Sequence, residues 1–218
     1  MSRPKQSISE RMYAHGVAIE NTLANPEILS AVTLFGYDQA RVQGLQTLHL
    51  EVDGLNKQQE AAYGDQHQAT QDLYHTWDGS KGVYMPTLKV ARVAFRGNPA
   101  AQKALALGGK RQESLPKWLA QVLTFYDNLL GNPTFLATMG SFGFDETRLQ
   151  ADRDLAEAVR QADLLQETAK GKAQALTQQR DEKLAELDTK MADYKAIAQV
   201  ALADNPQWLE ILGYGAGA

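Results

Sequence analysis

From Asp145 to about Ala203 the chain places apolar residues three and four apart. Leu155, Ala162, Ala169 and Leu176 stand seven apart, and Ala158 and Leu165 fill the alternate positions. After a polar stretch over residues 178–183 the pattern resumes one residue out of register at Leu184, Leu187, Met191, Tyr194, Ala198 and Ala201. Such a spacing is a coiled-coil-like seam, and the slip in register is a stutter. No proline and only one glycine, Gly171, interrupts the segment, and the stripe passes through Gly171 in phase. The pattern predicts a continuous helix, which at about 1.5 Å per residue reaches roughly 85 Å. The alternative is a hairpin turning near Gly64 and Gly171, giving two three-helix bundles. No segment alternates apolar and polar residues as a half-buried strand does.

A second regularity runs through the whole chain. Shifted by 107 residues, Asn25-Pro26 falls on Asn132-Pro133, Phe35-Gly36-Tyr37-Asp38 on Phe142-Gly143-Phe144-Asp145, Gly64 on Gly171, Thr70-Gln71 on Thr177-Gln178, and Asn98-Pro99 on Asn205-Pro206. Of the 84 positions from 25 to 108, 23 are identical without a gap, and Glu20-Asn21 falls on Asp127-Asn128 just before them. A fixed period marks an internal repeat. The reading is an all-α protein of two tandem copies of a helical unit of about 107 residues, 1–111 and 112–218, packed as one with a pseudo-two-fold relation. Long antiparallel helices alternate with short connecting ones.

Helix-boundary chemistry explains why four of the seven prolines follow asparagine. Asparagine accepts an orphan N–H of a first helical turn, and proline suits the next position because it has no N–H to lose. Each Asn-Pro therefore predicts the start of a short helix, closed by Gly36, Gly108, Gly143 or Gly213 in the left-handed conformation. Asp38 and Asp145 are expected to cap the long helices that follow, with Tyr37 stapled to Val42 and Phe144 to Leu149. The first copy is rougher: Trp77-Asp78-Gly79-Ser80-Lys81-Gly82 and Pro86 face helix formers in the second copy, which predicts a kink or short break over 79–86.

Composition narrows the function classes. A net charge of −4 and 44% hydrophobic residues describe an ordinary globular chain. Cysteine is absent, which excludes disulfides and thiolate metal sites. The polar start, MSRPKQSISER, does not read as a signal peptide, and no apolar run reaches a membrane span. The expectation is a cytoplasmic protein. The glycine-rich end, residues 213–218, is expected to fray.

Charge is uneven. Between Gly79 and Gln121 stand Lys81, Lys89, Arg92, Arg96, Lys103, Lys110, Arg111 and Lys117, against Glu113 alone. That is +7 locally and −11 for the rest of the chain. In the second copy Lys89, Arg92, Arg96 and Lys103 become Ala196, Gln199, Ala203 and Glu210. Lys89, Arg92 and Arg96 share a helix face beside the Gly108-Gly109-Lys110-Arg111 turn. The eight form a candidate interaction patch for nucleic acid, an anionic lipid surface or the acidic half of a second copy. Aromatics for base stacking are sparse there: Tyr84, Phe95 and Trp118.

No phosphate loop, dinucleotide fingerprint or nucleophile elbow occurs. Gly79-Ser80-Lys81-Gly82 has the letters of a phosphate loop without its spacing. A di-metal bundle needs Glu-x-x-His motifs on two helices. The one relative is Asp72-Leu73-Tyr74-His75, whose counterparts are Gln179 and Glu182 at its ends. His49 and His67, five turns apart, stand too far from each other to share an ion. Neither a cofactor nor a catalytic residue is assigned.

Within residues 88–130, the runs LKVARVAFR, ALALGGKR and SLPKWLAQVLTFYDNLL resemble an uncharacterised group of bacterial helical proteins with an internal duplication. No activity is established for that group, so the resemblance implies only a helical, bacterial protein. The leading functional reading is a non-enzymatic interaction or assembly protein, self-associating or bound to another protein. The others are a bundle binding an anionic surface through residues 81–117, and a metal- or cofactor-binding bundle.

Overall fold

A computed structural model describes residues 6–215. Residues 216–218, the last part of the glycine-rich end, lie outside the described residues. Every regular element among those described is helical: α1 (Ile8–Ala24), α2 (Pro26–Thr33), α3 (Gln39–Ala94), α4 (Pro99–Ala104), α5 (Leu115–Leu130), α6 (Pro133–Gly140), α7 (Glu146–Ala201) and α8 (Pro206–Ile211). The bounds recur at the offset seen in the sequence: 39–94 and 146–201, 99–104 and 206–211.

Both long helices run unbroken through their central glycines, so there is no hairpin at Gly64 or Gly171. A glycine costs about 1 kcal/mol in a helix interior, too little to end a helix with a packed face on either side. The break expected over 79–86 is also absent: α3 continues through Gly79, Gly82 and Pro86. The residues between them explain why. Ser80, Tyr84, Thr87 and Leu88 are fully buried, and tertiary packing holds the helix against the local propensity.

The chain forms two compact units. The first unit joins the chain up to Ala62 with the chain from Lys172 onward; the second is Tyr63–Gly171. They do not follow the halves 1–111 and 112–218, since each takes residues from both. In the first unit Asn21 Nδ2 donates to the Ile211 carbonyl at 2.6 Å. In the second unit Asn128 Nδ2 donates to the Ala104 carbonyl at 2.7 Å. The two asparagines are 107 residues apart, and so are the two carbonyls. Each ties one half of the chain to the last turn of a short helix from the other.

Within each unit a stretch of α3 packs against a stretch of α7. In the first, Val42, Leu45, Leu48 and Val52 share a core with Leu184, Leu187, Met191 and Tyr194, closed by Ala18 and Ile19 of α1. Lys183 pairs with Glu51 at 3.3 Å and Arg180 donates to Gln59 at 3.0 Å, so the helices run antiparallel. In the second, Leu73, Tyr84, Leu88 and Ala91 meet Leu149, Ala156 and Val159 around Trp118, Phe125 and Tyr126 of α5.

The buried stripe of α7 is Leu149, Asp152, Ala156, Val159, Ala173, Leu184, Leu187, Met191, Tyr194 and Ala198, which keeps one heptad phase throughout. There is no stutter. The pattern of leucine and alanine misplaces the seam because the true one carries polar residues, Asp152 and the half-buried Gln166, Thr177 and Arg180 among them. The stripe expected over 155–165 lies beside it, and there Leu155 remains 41% and Leu165 65% exposed.

The caps follow the expected chemistry with two departures. Asn25 and Asn132 each accept from two N–H groups of the following turn, and Asn98 accepts from Ala101, but Asn205 makes no side-chain cap. Gly36, Gly143 and Gly213 are left-handed, at φ 84°, 77° and 75°. The fourth such residue is Ala106 at φ 46°, not Gly108. The chain turns there because the Leu107 and Ala106 N–H groups reach back to the Gln102 and Lys103 carbonyls, as Tyr214 and Gly213 do to Leu209 and Glu210.

Candidate functional site

The expected caps Asp38 and Asp145 are in place, accepting from the Arg41 and Arg148 N–H groups at 2.9 and 2.8 Å. The same arginines lay their guanidinium groups over the Tyr37 and Phe144 rings, at 4.1 and 3.8 Å from the centroids. Their role was legible in the sequence as a shared Asp-x-x-Arg spacing, and the expectation above missed it. These corners are structural and identical in kind in both units.

The eight basic residues separate into two groups. Arg111 is an internal strut: Nη1 donates to the Tyr84 hydroxyl at 2.9 Å, and Nη2 donates to the Ala106 carbonyl at 2.9 Å and the Gly108 carbonyl at 2.5 Å. Arg92 does similar work, with Nε on the Leu107 carbonyl at 2.8 Å and Nη2 on the Gly109 carbonyl at 3.2 Å. The turn after α4 therefore closes on two guanidinium groups, which saturate carbonyls that a short helix end leaves open. Lys81 pairs with Asp78 at 3.2 Å and sits 3.7 Å above the Trp77 ring. Lys89, Arg96, Lys103, Lys110 and Lys117 face solvent.

Lys81 and Arg111 meet across a groove of about 300 Å³ whose walls are Trp77, Met85, Glu113 and Trp118. The Trp77 and Trp118 rings stand edge to face at 5.8 Å. Tyr84 continues the aromatic packing, edge-on to Trp118, Phe125 and Tyr126. Three buried side-chain polar atoms of this neighbourhood have no hydrogen-bond partner: Trp77 Nε1, Ser80 Oγ and Arg111 Nε. An orphaned buried donor costs about 1–3 kcal/mol, so three within one turn of helix and its neighbour call for a reason.

Deeper in the same unit, Asp152 is buried with one carboxylate oxygen accepting from Thr87 at 3.0 Å and from the Tyr126 hydroxyl at 3.5 Å. Burial holds the Asp152 carboxyl above the usual carboxylate range, and burial together with Asp152 pushes the Tyr126 hydroxyl up. This is a core polar pair without a reacting partner: it fixes the register of α3 against α7.

The first unit has a different polar feature. Asp188 of α7 pairs with Arg11 and accepts from His15 Nε2 at 2.8 Å. Burial, with the charges of His49 and Arg11 added, pushes the His15 imidazole down to about 4, so the neutral ring is the donor. His49 Nε2 donates to the Met12 carbonyl at 2.9 Å, and Gly16 leaves room for its ring. It is an interhelical peg between α1 and α3, while His67 is exposed. Asp72 accepts from Gln68 at 2.8 Å on an open face. Among the described residues no three His, Asp or Glu side chains gather as a metal site. No described helix is long and apolar enough to cross a membrane.

Comparison with protein-family models, with curated proteins and with solved structures gave no match.

Proposed function

We propose that the chain is a non-enzymatic helical interaction protein that self-associates, and that it is a tandem duplicate whose copies have since diverged in their side chains. The duplication is supported by the shared offset of sequence, helix bounds and the two Asn-to-carbonyl ties.

The observation that carries self-association is the second apolar stripe on α7. Leu155, Ala158, Ala162 and Leu165 repeat at the spacing of a coiled-coil seam. The intrachain seam lies beside them and leaves Leu155 and Leu165 uncovered, with Leu164 63% exposed next to them. Burying one leucine stabilises an interface by about 1.5–3 kcal/mol. A second copy laying the same stripe against this one supplies such burial twice over by symmetry. The charge asymmetry contributes less than the sequence implies, because Arg92, Arg111 and Lys81 already have partners inside the fold.

Sedimentation velocity over a range of concentration and salt tests the reading. A dimer that persists at high salt and is lost in Leu165→Glu is the expected result. A chain that stays monomeric at high concentration and low salt overturns it. A dimer that dissolves in salt and ignores Leu165→Glu moves the contact from the stripe to the basic residues 81–117.

A further inference from the structure

We propose that the groove between Trp77 and Trp118 in the second unit binds a small aromatic monocarboxylate. Two of the three orphaned atoms, Trp77 Nε1 and Arg111 Nε, belong to residues that line the groove, and both are donors only. A set rich in donors is completed by an acceptor, and a carboxylate accepts several hydrogen bonds at once.

The charge around the groove has the matching sign. Lys81 and Arg111 both line it. Arg111 is held rigid by Tyr84 and by the carbonyls of Ala106 and Gly108, so a ligand meets a guanidinium whose orientation is already fixed. Lys81 covers the Trp77 ring on a flexible stem, bound to the exposed Asp78. Swinging the ammonium from Trp77 to an incoming carboxylate opens the ring face and supplies the countercharge in one movement.

The walls set the rest of the ligand. Trp77 and Met85 present polarisable surface above the buried Trp118, which favours an aromatic body by ring and sulfur contacts. A groove of about 300 Å³ is at the small end of ligand sites, suited to one or two fused rings. Glu113 at the wall opposes a second negative charge, so a monoanion fits and a phosphate dianion does not. The corresponding positions elsewhere in the chain make the contrast plain: Trp77, Ser80, Lys81 and Trp118 stand where Leu184, Leu187, Asp188 and Arg11 occur in the first unit, and no orphaned donor is found there among the described residues. Occupancy does not depend on self-association, and the site works in a monomer.

The test uses the full chain labelled with 15N and titrated with 1-naphthoate, following the three indole N–H resonances, with inorganic phosphate and 1-naphthalenemethanol as controls. The expected result is a saturable downfield shift of the Trp77 indole N–H with naphthoate and none with either control. Trp77→Phe, which keeps a ring and removes the orphaned donor, and Lys81→Met each weaken binding by about tenfold, as the loss of one charge-assisted hydrogen bond does. Three outcomes overturn the proposal. In the first, the Trp77 resonance stays still at millimolar naphthoate. In the second, the uncharged alcohol moves it equally. In the third, Trp77→Phe, shown by its spectrum to be folded, binds as tightly as the parent; the donors are then satisfied by a lodged water.

Discussion

The two compact units keep the same corners and fill their cores differently. Both turn from a short helix into a long one through a left-handed glycine, an aromatic staple, an aspartate cap and an arginine stacked on the staple ring. Inside, the fillings are exchanged in complementary sets. The first unit pairs Gly16 with the His49 ring, and at the same offset the second has Leu123 and Ala156, large where the other is small. Where the first unit joins Arg11 and His15 to Asp188, the second has Trp118, Val122 and Lys81 at the same offset. Where the second buries Asp152 against Thr87, the first has Leu45 and Tyr194. Boundary chemistry is local, so it admits few residue types at each position. Core filling is constrained only in total volume and polar satisfaction, and many pairs meet that constraint.

This comparison is open to measurement. The largest effect is expected at the centre of the second unit. Tyr84 packs on three aromatic rings and receives the Arg111 donor. Tyr84→Ala should cost about 4 kcal/mol in chemical denaturation, and Met191→Ala, its counterpart in the first unit, about 3 kcal/mol. A larger loss at Met191 would mean that the aromatic cluster is not the better packed core.

An intermediate effect concerns acid, where the two units should respond in opposite directions. His15 in the folded chain binds its proton only near pH 4, whereas an unfolded histidine does so near about 6.5. Its contribution to stability is therefore intact above about pH 6.5 and is lost as the pH falls towards about 4. Asp152 has the opposite sign. Its carboxyl is raised in the folded chain, so the folded state takes the proton first, and this group's contribution improves as pH falls through its folded value. Urea midpoints measured against pH should lose the first slope in His15→Gln and the second in Asp152→Asn. Parallel curves for both variants and the parent would remove these groups from the pH dependence.

The smallest effect compares the two turns that follow α4 and α8. Ala106 bears a side chain in the left-handed region where its counterpart is Gly213. Ala106→Gly should gain about 1 kcal/mol and Gly213→Ala should lose a similar amount, because only glycine adopts that conformation without steric cost. In a chain of this size each shifts the melting temperature by about 2–4 °C. A loss in Ala106→Gly would show that the two arginines on that turn, Arg92 and Arg111, need the alanine to hold it.

The fold was legible where it depends on short-range chemistry. Asn25, Asn98 and Asn132 cap short helices, Asp38 and Asp145 cap long ones, and the seven-residue rhythm marks the long helices themselves. The phase of that rhythm was legible over 184–198, where the expected leucines, Met191, Tyr194 and Ala198 are buried, but not over 155–176. Asp152 and Arg180 sit on the packed face because partners far along the chain, Thr87 and Gln59, meet them there. A pattern of apolar letters passes over such positions and selects the neighbouring Leu155 and Leu165 instead. The basic stretch was legible as charge but not as structure. Nothing in the sequence around Arg111 announces that its guanidinium is bound to Tyr84, 27 residues earlier. The groove between Trp77 and Trp118 was missed for the same reason, since its walls come from α3, from α5 and from the segment before α5, and the only signal was the unusual run from Trp77 to Gly82.

The ties from Asn21 to Ile211 and from Asn128 to Ala104 carry a topological consequence. Neither terminal half of the polypeptide owns a complete core: each contributes one wall to both. A chain cleaved between 111 and 112 would yield fragments that fold by complementation rather than separately.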